Sequence, residues 1–349
     1  MKKIFLAFLL SICLIFSIIS FDHISVKAAN DPVVIVIDPG HGGTGERNLG
    51  AQYNGFSEKE LTMQVATAMK AELEKYDNVV VYLSRTTDTI VTLEERAAFA
   101  KSVNADFVFS IHFNASAEHD FYGSEIWTSA YGSYYKKGQE FGNIAIDELG
   151  SLGLYKKGVK TRVGSKGDYY GIIRQCKSRD IPCVIIEHAY LDHVYDLPLL
   201  RSNNIMQTFG ILDATAVAKY FKLKSSVSGA DYSSFKYATV KTPSSVVYQD
   251  ETGPDYCNAQ VLSFDQTSRN ALVQLSTKDS QSPVIYFSYS YDGGKTFSLL
   301  QMWDRTKETQ SFNMFIPKGI AEPQIVCRSY NNYEKFTQSN NVSVPNYNN

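Results

Sequence analysis

The chain has 349 residues, of which 44% are hydrophobic and 20% are charged, and its formal net charge is -2. A chain of this length and composition has room for two folded domains, because one domain commonly takes about 100–200 residues. The nearly neutral charge provides no basic field of the kind that attracts nucleic acid, so nucleic acid is not expected as a partner.

The N-terminus has the pattern of a secretory signal peptide. Lys2 and Lys3 precede an apolar run from Ile4 to Ile19, and residues 26–28 offer small side chains at a cleavage position. The apolar run is shorter than the ~20 residues that a membrane-spanning helix needs. We therefore interpret residues 1–28 as a cleaved signal rather than a retained anchor. The mature chain is expected outside the cytoplasm, with no stable membrane span.

The next part of the chain alternates predicted strands with predicted helices, which indicates a three-layer α/β domain with a mixed sheet. Continuous apolar and β-branched runs favour buried strands, and apolar residues at helical spacing favour helices. The predicted strands are Val33–Ile37, Val79–Leu83, Asp106–Ile111, Gly123–Ser129 and Pro182–Ile186. The predicted helices are Glu58–Tyr76, Leu93–Val103, Tyr134–Leu149 and Asn203–Phe221.

Two of these helices begin with the pattern of a capping box. Ser57 is followed three residues later by Glu60, and Thr92 is followed three residues later by Glu95. In such a pair the hydroxyl accepts a hydrogen bond from the third helical N–H, and the glutamate accepts one from the N–H of the capping residue. Both helices are therefore expected to begin directly after the capping residue.

The composition changes after Leu223. Residues 224–234 are rich in Ser, Gly and Lys, and we interpret them as a linker. Residues 235–345 contain short strand-like runs separated by turn residues, which predict a small all-β domain of the immunoglobulin-like sandwich type.

Four cysteines remain after the predicted signal: Cys176, Cys183, Cys257 and Cys327. An even number in an exported chain allows two disulfides, each within its own segment of the chain. Cys257 and Cys327 would suit a bridge between two sheets. Buried free thiols are an equal alternative, because cysteine packs well as a small hydrophobic residue.

Four side chains that can carry chemistry lie near the predicted ends of strands or helices. His41 follows the first strand, Glu58 opens the first helix, and His112 and Glu187 directly follow two later strands. Ligands of open α/β sheets bind beyond the carboxyl ends of the strands. A catalytic zinc ion takes three protein ligands of these residue types and a water. The spacing alone does not establish a metal site, because no two of these residues share one helix.

The sequence motifs around these four residues resemble those of the zinc-dependent N-acetylmuramoyl-L-alanine amidases, which hydrolyse bacterial cell wall. The resemblance extends from Val33 to Leu223 and implies that residues 31–223 are a catalytic domain. It also implies that His41, Glu58 and His112 bind one Zn²⁺ ion and that Glu187 is the catalytic carboxylate. The motifs are IDPGHGG with His41, the Glu58-Lys59 pair, SIHFNA with His112 and VIIEHAYL with Glu187.

The resemblance implies hydrolysis of the amide bond between N-acetylmuramoyl residues and L-alanine in peptidoglycan. Two alternatives stay open: a zinc peptidase acting on stem peptides, and a non-catalytic protein that binds the cell wall. Arg174 matches a family position near the cleft, where it either orients the substrate or forms a surface ion pair. His188 is expected to point away from Glu187 along the strand and to be structural, and His119 and His193 are expected to be loop residues.

The resemblance also places the chain at the cell wall, with peptidoglycan as its partner. The aromatic residues of the all-β region could stack on sugars and bind wall or surface components. We favour instead that most of them fill the core of the sandwich, because aromatic side chains dominate core energetics. These residues are Tyr286, Phe287, Tyr289, Tyr291, Phe297 and Trp303.

Overall fold

The β-branched runs of the first half of the chain form a sheet in the computed structural model, which describes residues 31–45 and 48–348. The predicted signal peptide lies outside the described residues. Within them, the strands of the first half are β1 (Val33–Pro39), β2 (Gln52–Tyr53), β3 (Phe56–Ser57), β4 (Val79–Leu83), β5 (Phe107–Asn114), β6 (Ser124–Thr128), β7 (Lys156–Thr161), β8 (Val163–Gly164), β9 (Gly167–Asp168) and β10 (Cys183–Tyr190). The helices are α1 (Glu58–Leu73), α2 (Leu93–Ser102), α3 (Gly132–Gly150), α4 (Gly171–Lys177), α5 (Leu197–Leu200) and α6 (Ile205–Phe221).

The main sheet is mixed, and among the described residues its strand order is β4-β1-β5-β10-β6-β7. The first four strands in this order are parallel to one another. β6 is antiparallel to β10, and the edge strand β7 is parallel to β6. The predicted α/β class with a mixed sheet is confirmed.

Helices cover both faces of this sheet because successive strand residues point to opposite faces. Ile35 and Ile37 of β1 pack into the core beneath α1, α3 and α6. Val36, between them, packs into a second core beneath α2 and α4. The sheet is therefore the middle of three layers, as the alternation of strands and helices predicts.

Two strands extend further than the sequence predicts. The pairing of β5 with β10 continues through His112 and Glu187 to Asn114 and Tyr190. Both chemistry-bearing residues thus lie inside strands rather than beyond their ends. The reason is that the backbone ladder continues past the last apolar residue of each strand, so a polar side chain does not mark the strand end here.

The two predicted capping boxes have different outcomes. The box formed by Thr92 and Glu95 at the start of α2 is present, with both hydrogen bonds made. The prediction for Ser57 is wrong: its side chain makes no capping hydrogen bond. Ser57 is instead the last residue of the β2–β3 hairpin, and the N–H of Glu58 donates to the carbonyl oxygen of Ala51 at 3.0 Å.

The second half of the chain is all-β, as predicted. In the described residues its strands are β11 (Tyr256–Asp265), β12 (Asn270–Lys278), β13 (Val284–Ser290), β14 (Gln301–Met302), β15 (Thr309–Phe315), β16 (Gln324–Asn331), β17 (Phe336–Gln338) and β18 (Val342–Ser343). One antiparallel sheet has the order β11-β12-β15, and another has the order β14-β13-β16-β17. Val273 and Leu275 from the first sheet share a buried core with Phe287 and Ile325 from the second. The immunoglobulin-like topology stays a prediction.

The four cysteines, and three of the six aromatic residues named above for the all-β region, are buried. The structure has buried free thiols rather than disulfides at all four positions, which are Cys176, Cys183, Cys257 and Cys327. Tyr286, Phe287 and Trp303 are buried, which confirms the core interpretation for these three aromatic residues.

The predicted linker packs along the α/β part of the chain. The N–H of Asp77 donates to the carbonyl oxygen of Lys224 at 2.7 Å. The ring of Tyr232 stacks on Tyr76, with 6.3 Å between the ring centroids. The division into a catalytic domain at 31–223, a linker at 224–234 and an accessory domain at 235–345 stays a prediction. In the described part of the chain, no helix is both long and apolar enough to cross a bilayer.

An aromatic cluster joins the α/β part to the all-β region. Phe121, Tyr122 and Tyr190 from the first pack with Ile285 and Tyr286 from the second. The hydroxyl of Tyr286 also donates a hydrogen bond to the carbonyl oxygen of Tyr122. Because Tyr286 is fully buried, this contact removes a large aromatic surface from water.

We predict that Tyr286→Ala lowers the free energy of unfolding by about 3–5 kcal/mol, the usual cost of truncating a buried aromatic side chain. Urea denaturation followed by near-UV circular dichroism measures this change. Tyr248→Ala is the matched control, because Tyr248 is 68% exposed and should change stability by less than about 0.5 kcal/mol. Equal effects of the two substitutions would contradict the packing role of the cluster.

Candidate metal and catalytic site

Three of the predicted site residues come together at one edge of the sheet. His41, Glu58 and His112 each offer one ligand atom, and these atoms lie within 4.8 Å of one another. Oε1 of Glu58 lies 3.2 Å from Nε2 of His41 and 3.0 Å from Nδ1 of His112. The histidines are partly exposed and Glu58 is buried, so the cluster is open to solvent on one side.

The first turn of α1 places the carboxylate of Glu58 in a cradle of N–H groups. Oε1 accepts from the backbone N–H of Phe113 at 3.1 Å, and Oε2 accepts from that of Ala51 at 2.7 Å. Burial alone would raise the pKa of Glu58, but the hydrogen bonds and charges of His112 and His41 hold it well below its usual range. Glu58 is therefore an ionised carboxylate aimed at two imidazoles.

The loop that carries His41 has an unusual backbone that brings the two imidazoles together. His41 itself has φ 60°, in the left-handed region that residues with a side chain rarely adopt. A Cβ atom at Gly40 would lie 2.4 Å from Cε1 of His112, so only glycine allows the loop to approach this ring. The Gly-His pair of the IDPGHGG motif thus has a steric reason.

Two buried arginines hold this loop in place. Arg96 donates from Nη1 to Asp38 Oδ1 at 2.5 Å and from Nη2 to the carbonyl oxygen of His41 at 2.6 Å. Arg85 donates to the carbonyl oxygens of Pro39 and Gly40 at 2.9 and 3.0 Å. The carbonyl oxygens of Pro39, Gly40 and His41 therefore point towards the guanidinium groups.

Asp38 supplies the charge that balances Arg96. Burial alone would raise the pKa of Asp38, but Arg96 and the hydroxyls of Ser84 and Ser110 lower it below its usual value. Both charged side chains are almost fully buried, at 2% and 5% exposure for Asp38 and Arg96. Removing one partner would leave the other as an uncompensated buried charge.

Glu187 lies level with His112 because the two residues are register partners of β10 and β5. Paired residues of neighbouring strands point to the same face of a sheet, so the side chain of Glu187 lies on the same face as that of His112. Its Oε2 is buried and has no hydrogen-bond partner among the described residues. Burial and the nearby Glu58 and Glu125 raise its pKa well above the usual range.

A buried charge network that the sequence analysis missed lies beside Glu187. Glu125 is the register partner of Glu187 on β6, and its Oε2 contacts Nζ of Lys160 at 2.6 Å and Nζ of Lys157 at 3.1 Å. Both lysines are buried on the edge strand β7. Burial alone would raise the pKa of Glu125, but the two lysines lower it to about 2. The sequence signal was a run of strand residues, KKGVKT, in which lysines flank a glycine.

The lysines face the same carboxylate because β7 contains a bulge. The register between β6 and β7 shifts between Ser124 and Glu125, and Gly158 has φ 109°. An extra residue in a strand changes which side chains share a face. Strict alternation would place residues 157 and 160 on opposite faces, and the bulge brings both to Glu125.

The other three histidines among the described residues have structural contacts. His188 is fully buried, with Nδ1 at 3.0 Å from the carbonyl oxygen of His112 and Nε2 at 2.9 Å from Asp213 Oδ2, as its position on the opposite face predicts. His119 is a loop residue that contacts Asp192. His193 also lies in a loop but is fully buried and stacks on Tyr122.

Arg174 holds the chain segment before α4. Its Nη1 donates to the carbonyl oxygens of Asp168 at 2.6 Å and Tyr169 at 3.1 Å. A role in substrate binding stays a prediction for Arg174.

The donor set of the cluster fits a zinc ion. Two imidazoles and one carboxylate are among the usual ligands of catalytic zinc, which keeps one position for water. The buried Oε2 of Glu187, without a hydrogen-bond partner in the described chain, is an acceptor that such a water could use.

The sequence profile described as N-acetylmuramoyl-L-alanine amidase matches residues 35–219 of the 349. The chain belongs to the N-acetylmuramoyl-L-alanine amidase family. All five predicted site residues, His41, Glu58, His112, Arg174 and Glu187, lie within the matched range, and the all-β region lies beyond it. The family and the enzyme class that the motifs indicate are confirmed.

Individual relatives cover the same part of this amidase. The N-acetylmuramoyl-L-alanine amidase CwlM of Bacillus licheniformis is 32% identical over 192 residues, which are 55% of this chain and 70% of that protein. The sporulation-specific N-acetylmuramoyl-L-alanine amidase of Bacillus subtilis (strain 168) is 30% identical over 207 residues, or 57% of this chain and 72% of that protein. The solved structure of Cwp6 from Clostridium difficile has a TM-score of 0.50 and 26% identity, over 55% of this chain and 30% of that chain.

The structure thus brings together the residues that the motifs single out. Their roles as zinc ligands and catalytic carboxylate stay predictions.

We predict that Asp38→Ala destabilises the amidase by about 3–5 kcal/mol at pH 7, because Arg96 would then be a buried charge without its carboxylate. Urea denaturation measures the change. Asp147→Ala is the control, since both side chains of the Asp147–Lys156 ion pair are exposed and the pair should contribute at most about 1 kcal/mol.

The same pair predicts a pH dependence of stability. Because the folded-state pKa of Asp38 is lowered, its ionised form stabilises the fold at pH values above its ordinary pKa of about 3.9. This contribution is lost as the pH falls from there through the lower folded-state pKa. The difference in unfolding free energy between wild type and Asp38→Ala should therefore narrow below pH ~4. A difference that stays constant from pH 7 to pH 3 would contradict the charged state assigned to Asp38.

Proposed function

We propose that this chain is an exported amidase that uses one bound Zn²⁺ ion and Glu187 to hydrolyse the bond between N-acetylmuramoyl residues and L-alanine in peptidoglycan. The observation that carries the proposal is the cluster of His41, Glu58 and His112, whose ligand atoms lie within 4.8 Å of one another. Glu187 is level with this cluster in the sheet. The activity named for the two amidase relatives, CwlM and the sporulation-specific enzyme, supports this assignment of the bond that is cut.

His41, Glu58 and His112 would hold the ion and leave one position for water. A bound zinc ion supplies a water whose pKa is lowered to about 7 and polarises the carbonyl that is attacked. The two backbone N–H groups orient the carboxylate of Glu58 before any ion binds. The glycine backbone at position 40 lets the ring of His112 stay close to the His41 loop.

Glu187 is suited to move the proton. A carboxyl group whose pKa is raised by burial and by nearby carboxylates binds a proton more readily than an exposed one. In the proposed mechanism Glu187 accepts a proton as water attacks the lactyl carbonyl. It then donates this proton to the L-alanine nitrogen as the amide bond breaks.

Export and location at the cell wall belong to the same proposal. The support is the signal-like pattern of residues 1–28 and the location of peptidoglycan outside the cytoplasm. Binding of further wall or surface components through residues 235–345 stays a prediction.

We predict that Glu187→Gln lowers kcat by about 10²–10⁴-fold, because the amide cannot accept the proton, while zinc content stays at the wild-type level. Release of soluble products from purified cell wall measures activity, and metal analysis measures zinc. Glu60→Gln, an exposed change on α1, is the control and should keep full activity. Normal turnover by Glu187→Gln would remove Glu187 from the catalytic role.

We predict that a chelator abolishes activity, that added zinc restores it, and that His41→Ala binds less than a tenth of the wild-type zinc because one of three protein ligands is lost. The check is metal content per chain after dialysis against a fixed free-zinc concentration. His119→Ala, a change at a loop histidine, should keep wild-type zinc. If His41→Ala held one zinc ion per chain as firmly as wild type, His41 would not be a ligand.

Product analysis separates the proposed activity from its alternatives. The amidase is expected to leave glycan with free muramoyl lactyl groups and to release peptides that begin with L-alanine. A stem-peptide peptidase would instead leave L-alanine attached to the glycan. Mass spectrometry of digested wall distinguishes these products, and binding without any product would match the non-catalytic alternative.

A further inference from the structure

A cleft of about 640 Å³ begins beside the catalytic edge of the sheet. Its lining includes Asn114, two residues beyond His112, and Glu125, the register partner of Glu187. The opposite wall comes from β16, the following turn and the start of β17. These wall residues lie outside the matched family range of 35–219. The cleft is thus shared by the family domain and the all-β region.

Glu334 fastens the turn between β16 and β17 to the buried charge network. Its Oε1 accepts hydrogen bonds from Nζ of Lys157 and, at 2.9 Å, from the hydroxyl of Tyr190. Glu334 itself has φ 65°, a strained backbone conformation for a residue with a side chain. The pKa of Lys157, which burial alone would lower, is raised by Glu125 and Glu334. The carboxylate of Glu334 is therefore one of two that keep this buried lysine charged.

The same turn makes two further contacts with β7. The carbonyl oxygen of Asn332 accepts from Nζ of Lys160 at 2.9 Å. The hydroxyl of Tyr333 accepts from the N–H of Thr161 at 3.2 Å. The side chain of Asn331 shapes the turn, because its Oδ1 accepts from the N–H groups of Tyr333 and Lys335 at 3.0 and 3.1 Å. A turn held at this many points is a fixed wall rather than a loose loop.

Side chains on the open side of this wall face the cleft. Phe336 is 47% exposed although it is a large apolar residue. The guanidinium of Arg328 lies over its ring at 4.5 Å from the centroid. Tyr333 and Tyr170 contribute partly buried rings to the same lining. Aromatic faces together with polar and charged groups suit a ligand that presents both sugar rings and amides.

We propose that the β16–β17 turn is a substrate-binding surface of this cleft, with Phe336 contacting the peptidoglycan strand and Glu334 positioning the turn. His41, Glu58, His112 and Glu187 do not line the cleft, so it would hold a part of the substrate that extends beyond the bond that is cut. This inference rests on the proposed function for the identity of the ligand. It assigns the all-β region a part in binding substrate next to the proposed catalytic site.

The first test compares two exposed phenylalanines of the all-β region. Phe336 lines the cleft, and Phe315 on β15, which is 56% exposed, does not. Each is changed to alanine in protein that also carries Glu187→Gln, so that the ligand is not consumed. Binding of a soluble disaccharide-peptide fragment of peptidoglycan is measured by calorimetry with zinc present.

We expect Phe336→Ala to weaken binding of the fragment about three- to tenfold, as loss of one aromatic contact does, and Phe315→Ala to leave it unchanged. Both residues are exposed, so both variants should unfold at the wild-type urea concentration. Binding by Phe336→Ala within twofold of its parent, or equal weakening by both variants, would overturn the proposal.

The second test addresses the positioning role of Glu334. Glu334→Gln removes the charge that Lys157 contacts, and Glu308→Gln removes an exposed charge that pairs with Lys278 on the other sheet. In enzyme with an intact Glu187, Glu334→Gln is expected to raise KM for the fragment at least threefold, and Glu334→Asp should recover part of the loss because it restores the charge. Glu308→Gln should leave KM unchanged. Unaltered KM in Glu334→Gln would remove Glu334 from this role.

The two tests separate this inference from the proposed function. Turnover of the fragment by the wild type tests which bond the enzyme hydrolyses. The calorimetric comparison tests whether the β16–β17 turn binds the fragment, in the absence of turnover. Weaker binding by Phe336→Ala would support a substrate-binding role for the β16–β17 turn even if the enzyme cut another bond of the fragment. Normal turnover by the wild type together with unchanged binding by Phe336→Ala would leave the amidase assignment intact and would rule out the β16–β17 turn as a substrate-binding surface.

Discussion

The edge of the sheet that carries the predicted site residues depends on a single constraint: each charge that is buried there needs a partner. An unpaired buried charge costs several kcal/mol, so each of the buried carboxylates Asp38, Glu58 and Glu125 contacts a cationic or imidazole side chain. Asp38 pairs with Arg96, and Glu58 contacts two histidines. Lys157 and Lys160 share Glu125. These contacts fix the loop, the helix and the strands that meet at the site.

Glu187 is the exception to this pattern, and the exception has chemical meaning. Its buried Oε2 has no hydrogen-bond partner among the residues described, and its neighbours Glu58 and Glu125 are ionised carboxylates. A structural carboxyl group at this position would be expected to have a donor beside it. A group that must bind and release a proton gains from the opposite arrangement, because its proton affinity is raised by the same neighbours. These neighbours suit the proton transfer that we propose for Glu187.

Sequence reasoning found the part of this arrangement that is encoded locally. His41, His112 and Glu187 stand in short motifs beside apolar strand runs, and the strands do bring them to one edge. It missed Arg96 as the partner of Asp38, because the two are 58 residues apart and an arginine on an amphipathic helix usually faces solvent. It also missed β7, since KKGVKT has the composition of an exposed segment. The bulge at Gly158 and the burial of the lysines follow from tertiary packing that periodicity does not report.

The burial of those lysines links the all-β region to the predicted catalytic site. β7 is the edge strand of the main sheet, and an uncovered edge strand with lysines would ordinarily be solvated. Here the β16–β17 turn covers it, and Glu334 reaches Lys157 across a separation of 177 residues. If this edge were exposed, solvent would screen Lys157 and Lys160, and their electrostatic attraction to Glu125 would be weaker. Because Glu125 is the register partner of Glu187, the electrostatic environment of Glu187 depends on a segment that the amidase family profile does not include.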